Sequence, residues 1–203
     1  IPDFFRKASD KMITWDNTNQ NKVLTNLSPT LPIIKSKKSK IGNYCTIIFC
    51  EATKYTAKNY SGPELNESFN LFNEIVQLVN KLNPEIKSKI KFRTKGNFSF
   101  NSEKKFSEMF GKKSIDKYSI ENSFNKAISN CKLIIATYPE TSFSESMYFN
   151  TPTILINKDF WQFSKTGFDT FNDLKENKIA FKDIDEAKNH INKHWSELDL
   201  WWK

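Results

Sequence analysis

The sequence predicts an α/β fold, a Rossmann-like parallel sheet with helices on both faces. Three observations carry that expectation. Strand-like and helix-like stretches alternate along the chain. The strand-like runs, YCTIIFC (44–50) and KLIIATY (132–138) above all, are continuously apolar. About five such runs occur, enough for one nucleotide-binding unit. Continuous apolarity marks strands covered on both faces, and alternation with helices marks crossovers between parallel neighbours.

The elements follow in order. Residues 1–40 differ from the rest: their apolar clusters are short, and Pro29, Pro32 and the lysine-rich stretch from Lys35 to Lys40 punctuate them. They read as a linker or N-terminal segment, with KMITWDN (11–17) as a short strand, and 41–203 as the Rossmann-like domain. After the 44–50 strand, Ser61 and Pro63 open a helix. Its stripe is expected to be Leu65, Phe69, Phe72, Val76 and Val79, at alternating four- and three-residue spacing. Asn83-Pro84 ends it. IKFRTKG (90–96) reads as the second strand and EKKFSEMFG (103–111) as a short helix stopped by glycine. SIDKY (114–118) reads as a third, short strand and SIENSFNKAISNC (119–131) as helix. The 132–138 strand follows, then a helix over 142–149, the strand PTILI (152–156), and helices over 170–177 and from 184 to the terminal tryptophans.

Composition narrows the function classes. A hydrophobic fraction of 38% with 18 phenylalanines supplies a packed core and argues against disorder. No apolar run reaches membrane-span length, and no signal peptide is visible. The opening Ile1-Pro2 lacks an initiator methionine and reads as a fragment or a processed product. Cys45, Cys50 and Cys131 are odd in number and show no zinc spacing, so reduced, buried thiols in a cytoplasmic protein are expected. The net charge of +8 admits a nucleic-acid surface. Yet only Arg6 and Arg93 are arginine, and asparagine is abundant, so coding bias plus an anionic ligand accounts for the charge better.

The chemistry concentrates after the 132–138 strand. In parallel sheets ligands sit outside the carboxyl ends of the strands. A helix beginning at Thr141-Ser142 turns unpaired N–H groups and hydroxyls toward that crevice, which suits a diphosphate. The alternative is an ordinary N-terminal box, since Ser142 and Glu145 have S-x-x-E spacing. Glu145 accepts the hydroxyls of a ribose or completes that box, but not both. Glu140 on the turn meets a sugar hydroxyl or is a solvated acid. Arg93, at the end of another strand, offers a two-pronged phosphate donor. Lys95 and Lys54 fall on the same sheet edge. His190 and His194 share a helix face without a third metal ligand, and Trp195, Trp201 and Trp202 read as a core contact or, less simply, a base-stacking surface.

ESMYFNTPTILI (145–156) resembles the glutamate–helix–proline–strand signature of the C-terminal half of GT-B glycosyltransferases. With KFRTKG upstream and HWSELDLWW at the end, the segment from Ser123 onward looks like a transferase family of bacterial surface-carbohydrate gene clusters. It is also similar to teichoic-acid-type polymerases. The resemblance covers about Tyr44 to the end. It implies one half of a GT-B fold that binds a nucleotide-sugar donor, with Thr141, Ser142 and Arg93 on phosphate and Glu145 on ribose. The partner substrate would be a saccharide or lipid-linked acceptor. The nucleotide-sugar is substrate rather than cofactor, no metal is implied, and the catalytic base is expected in a preceding acceptor domain. Two departures stand out. The first acid of the retaining enzymes' glutamate pair falls near Thr137, and RTKG lacks the histidine of teichoic-acid-type enzymes. A nucleotide-sugar epimerase and a noncatalytic nucleic-acid or interaction module are the rival readings.

Overall fold

A computed structural model describes residues 12–14, 23–25, 42–51, 63–94, 100–117, 119, 122–156, 158 and 165–203. The chain divides into two compact units, Ile1–Lys37 and Lys38–Lys203. In the first, β1 (Met12–Thr14) and β2 (Val23–Thr25) pair in parallel.

The second unit is built on five parallel strands: β3 (Tyr44–Phe49), β4 (Ile90–Thr94), β5 (Cys131–Ala136), β6 (Thr153–Ile156) and β7 (Ala180–Phe181). They lie in the order β4-β3-β5-β6-β7. β4 is added on one side of β3 and β5 to β7 on the other, so the strand order switches between β3 and β5, where such folds open a crevice. Ile47, Phe92, Leu133, Ile135, Ile154 and Ile156 point to one face. There they meet α1 (Leu65–Lys81), α3 (Ser102–Phe110) and α7 (Ile184–His194) through Ile75, Phe106 and Ile191. Ile48, Ile134, Ala136 and Leu155 face the other way, onto α4 (Phe124–Ser129), α5 (Thr141–Tyr148) and α6 (Lys165–Glu176). The expected Rossmann-like sheet, covered on both faces, is therefore present. A one-turn α2 (Pro84–Lys87) and a C-terminal α8 (Leu198–Trp202) complete the helices among the described residues.

Several expectations need correction. The fifth strand is β7, not 114–118. That segment makes a 3-10 turn at Lys112–Ser114 and only an isolated bridge from Ile115 to Phe92. Asp116 then turns back, its N–H donating to the Phe92 carbonyl. Helix α1 is capped by Glu64 rather than Ser61, which lies outside the described residues, and Glu64 and Glu67 form a reciprocal box. Pro63 precedes the helix. The buried stripe of α1 is Ser68, Leu71, Phe72, Ile75, Leu78 and Val79, whereas Leu65 and Phe69 are exposed. The expected 119–131 helix contracts to α4, because Cys131 already belongs to β5. The lysine run from Lys35 to Lys40 lies outside the described residues.

The three cysteines are thiols: Cys45 and Cys131 are buried, Cys50 partly so. Cys131 Sγ donates to Thr46 Oγ1 at 3.0 Å and the Ala127 carbonyl at 3.1 Å, and burial pushes the Cys45 thiol well above its ordinary range. No described helix is long and apolar enough to cross a membrane.

Candidate functional site

The carboxyl end of β5 is the centre of the candidate site. β5 does not stop pairing at Ala136. Thr137, fully buried, donates its N–H and its hydroxyl to the Ile48 carbonyl, at 3.1 and 3.0 Å. Its Oγ1 also accepts the Cys50 N–H at 3.0 Å. A short β-branched hydroxyl fits this stitch because its side chain is stiff and carries both donor and acceptor. The stitch closes the β3–β5 seam to its last residue, so the chain beyond it must leave the sheet.

Pro139 makes that departure, and α5 starts at Thr141. Glu140 is its N-cap, extended (φ −113°, ψ −155°) and exposed, with no side-chain capping bond. The Glu140 carbonyl accepts the Ser144 N–H at 3.1 Å, closing the first turn. The amides of Thr141, Ser142 and Phe143 therefore precede the helix's own hydrogen-bond ladder. Thr141 is exposed and Ser142 partly so, at the end of the sheet where β5 terminates.

The S-x-x-E box does not form. Ser142 lies inside the helix. Its Oγ is 3.3 Å from the Tyr138 hydroxyl, and its carbonyl accepts Ser146 Oγ at 2.6 Å. Glu145 lies beyond the capping position, half-buried, and its carboxylate accepts no hydrogen bond among the described residues. Burial raises its pKa above the ordinary carboxylate value. Of its two mutually exclusive roles, capping is removed.

The far end of α5 is fixed as firmly. Asn150 adopts the left-handed conformation (φ 52°). Its N–H donates to the Met147 carbonyl at 2.9 Å, and the Thr151 N–H to the Ser146 carbonyl at 3.0 Å, a Schellman ending. Pro152 then directs the chain into β6. Phe143 and Met147 seat the helix against Ala136, Leu155 and Phe171.

The remaining predicted residues are placed differently. Arg93 is 5% exposed. Its Nη1 donates to Asp116 Oδ2 at 2.9 Å and its Nη2 to the Asn122 carbonyl at 2.6 Å, with Phe124 against the guanidinium. The two-pronged donor is engaged by its own chain, leaving little surface for a ligand. Lys95 and Lys54 lie outside the described residues. His190 and His194 stack at 4.5 Å between ring centroids, with Trp201 at 4.6 Å from His190. No grouping of three histidine, cysteine or acidic ligands occurs among the described residues.

Two residues at the rim were missed by sequence reasoning. Tyr138 touches Ser142, and burial pushes its phenol up to about 12, so it stays neutral. Glu51, 7% exposed, follows β3 directly. Both stand at strand carboxyl ends, the very signal that singled out Arg93.

A family model for the LIC12162 family transferase matches residues 2–203. The chain belongs to the LIC12162 transferase family. No curated protein and no solved structure matches it. Membership in this family assigns the parallel sheet to a transferase, a protein that moves a group from a donor to an acceptor.

Proposed function

We propose that this LIC12162-family chain is the donor-binding part of a GT-B-type glycosyltransferase that works in the cytoplasm on bacterial surface polysaccharide. The donor is a nucleotide-sugar and the acceptor a saccharide or lipid-linked saccharide. One observation carries the reading: α5 begins uncapped by any side chain where β5 ends, and Glu145 one turn on has no capping partner.

In this reading the donor diphosphate lies against the Thr141 and Ser142 amides and hydroxyls, with Glu140 at the edge. Glu145 accepts the ribose hydroxyls. As the sugar departs, negative charge grows on the distal phosphate. Fixed amides and the positive end of α5 stabilise that charge without having to reorganise. Arg93 acts from behind, holding Asp116 and the Asn122 carbonyl beside the end of β4.

Calorimetric titration with nucleoside diphosphates tests the reading. Glu145→Gln removes a charged acceptor and should weaken binding about tenfold, as loss of a charged hydrogen bond does. Ser142→Ala should weaken it about threefold, and removing the ligand's phosphates should matter more than changing its base. Equal affinities for wild type and both variants, or binding to oligonucleotides that collapses with salt, would overturn it.

A further inference from the structure

We propose that Glu51, Thr94 and Ser102 form a binding site for a monovalent alkali cation at the carboxyl rim of β3 and β4. The inference does not rest on the donor-binding reading. Three aromatic rings fix the local geometry. Phe106 of α3 stacks on Phe92 with centroids 4.0 Å apart and meets Phe49 edge-on at 5.3 Å. β3 and β4 pair Ile47 with Phe92 and Phe49 with Thr94. Thr94 therefore stands about 6.6 Å rimward of Phe92 on the same face, and Glu51 lies a like step beyond Phe49. Ser102, one helical turn before Phe106, stands about 6 Å rimward of it. By this spacing all three residues lie rimward of the aromatic trio, and a bond joins two of them: the Ser102 N–H donates to Glu51 Oε2 at 2.9 Å.

That bond satisfies one carboxylate oxygen. Glu51 Oε1, Thr94 Oγ1 and Ser102 Oγ are all buried and have no hydrogen-bond partner among the described residues. The residues are 7%, 5% and 0% exposed. Buried polar atoms are nearly always paired, and a buried carboxylate without a counter-charge is costly. Among the described residues no lysine or arginine forms an ion pair with Glu51. One carboxylate oxygen and two hydroxyl oxygens are hard donors with a single negative charge. A cation of single charge balances them. Calcium takes six to eight oxygens, and magnesium wants a near-ideal octahedron with several waters. An ordered water is the rival occupant, able to bridge the oxygens but not to balance the charge.

Thermal unfolding of the whole chain in potassium, sodium and choline chloride at one ionic strength decides between them. The midpoint in potassium or sodium should exceed that in choline by about 3 °C or more and saturate with concentration. Glu51→Gln should abolish the difference. Should that variant fail to fold, Thr94→Val, which keeps the side-chain shape, should move saturation to higher salt. Coincident midpoints in the three salts would overturn the proposal. So would a difference that survives Glu51→Gln, or saturation unmoved by Thr94→Val.

Discussion

Arg93 shows how one side chain can look like a ligand and serve the fold. Arginine at a strand end, in a chain that otherwise uses lysine, is the residue one chooses for phosphate. The same planar fork serves equally well to hold Asp116, 17% exposed, and a backbone carbonyl. Arg93→Ala takes the guanidinium from both, leaving Asp116 only its bond from Asn122 Nδ2 at 2.6 Å, and breaking a buried pair from one side costs about 3–5 kcal/mol. Denaturant unfolding should show that loss, with Arg93→Lys recovering part of it. His190 offers a second test. Its Nε2 is buried without a partner among the described residues, and burial, with the nearby His194, Lys178 and Lys193 charges, lowers its pKa to about 4. The folded protein thus binds a proton less readily than the unfolded chain. The stability His190 contributes is full above its ordinary value of about 6.5 and drains away as the pH falls toward 4. Between pH 7.5 and 5 the urea midpoint of the wild type should fall further than that of His190→Phe. An equal fall in both would contradict the assignment.

At the scale of elements, close approach and end geometry do the positioning. Gly42 precedes β3 where the chain crosses Asn130. A Cβ there would lie 2.0 Å from the Asn130 carbonyl carbon and oxygen. That backbone is held by Gly42 N–H to the Cys131 carbonyl at 3.2 Å and Asn43 N–H to the Asn130 carbonyl at 3.0 Å, so it cannot yield cheaply. Gly42→Ala should cost about 3 kcal/mol, read from chemical denaturation. Nothing in the sequence marks this glycine apart from its place before a strand. Helix α1 shows another limit of legibility. Two apolar stripes share its sequence, one through Leu65 and Phe69 and one through Leu71, Ile75 and Leu78. Both have helical spacing, and they share Phe72 and Val79. Periodicity cannot choose between them. The choice is made by tertiary neighbours, since α1 must meet Phe49 and Phe106 as well as α7. Helix α6 ends as α5 does, with Lys178 left-handed at φ 59° where glycine would be usual. The Lys178 and Ile179 N–H groups cap the Lys175 and Leu174 carbonyls.

For the whole molecule, the sheet was the most legible feature. The apolar runs within 44–50, 133–136 and 153–156 call for burial on both faces, and each lies in a strand; 90–94, where Lys91 and Arg93 interrupt the run, is a strand too. The two-residue β7 was not legible, because Ala180 and Phe181 alone carry no periodicity and gain their register from β6. In the candidate site, the start of α5 was legible from Pro139 and the hydroxyls after it. The fate of Glu145 was not, because a two-residue shift of the helix start, from Ser142 to Glu140 as N-cap, decides whether S-x-x-E forms a box. Glu51 and Tyr138 were overlooked for a different reason: both lie just past strand ends, where what they meet, Ser102 and Ser142, is set by the neighbouring elements.

The central claim is that the first amides of α5 receive a diphosphate. Amide chemical shifts recorded while a nucleoside diphosphate is added test it most directly. The account predicts that Thr141, Ser142 and Phe143 move, that Glu145 follows, and that the bare nucleoside leaves the three nearly still. If those amides stay fixed while the ligand perturbs residues elsewhere, the seat is not at α5.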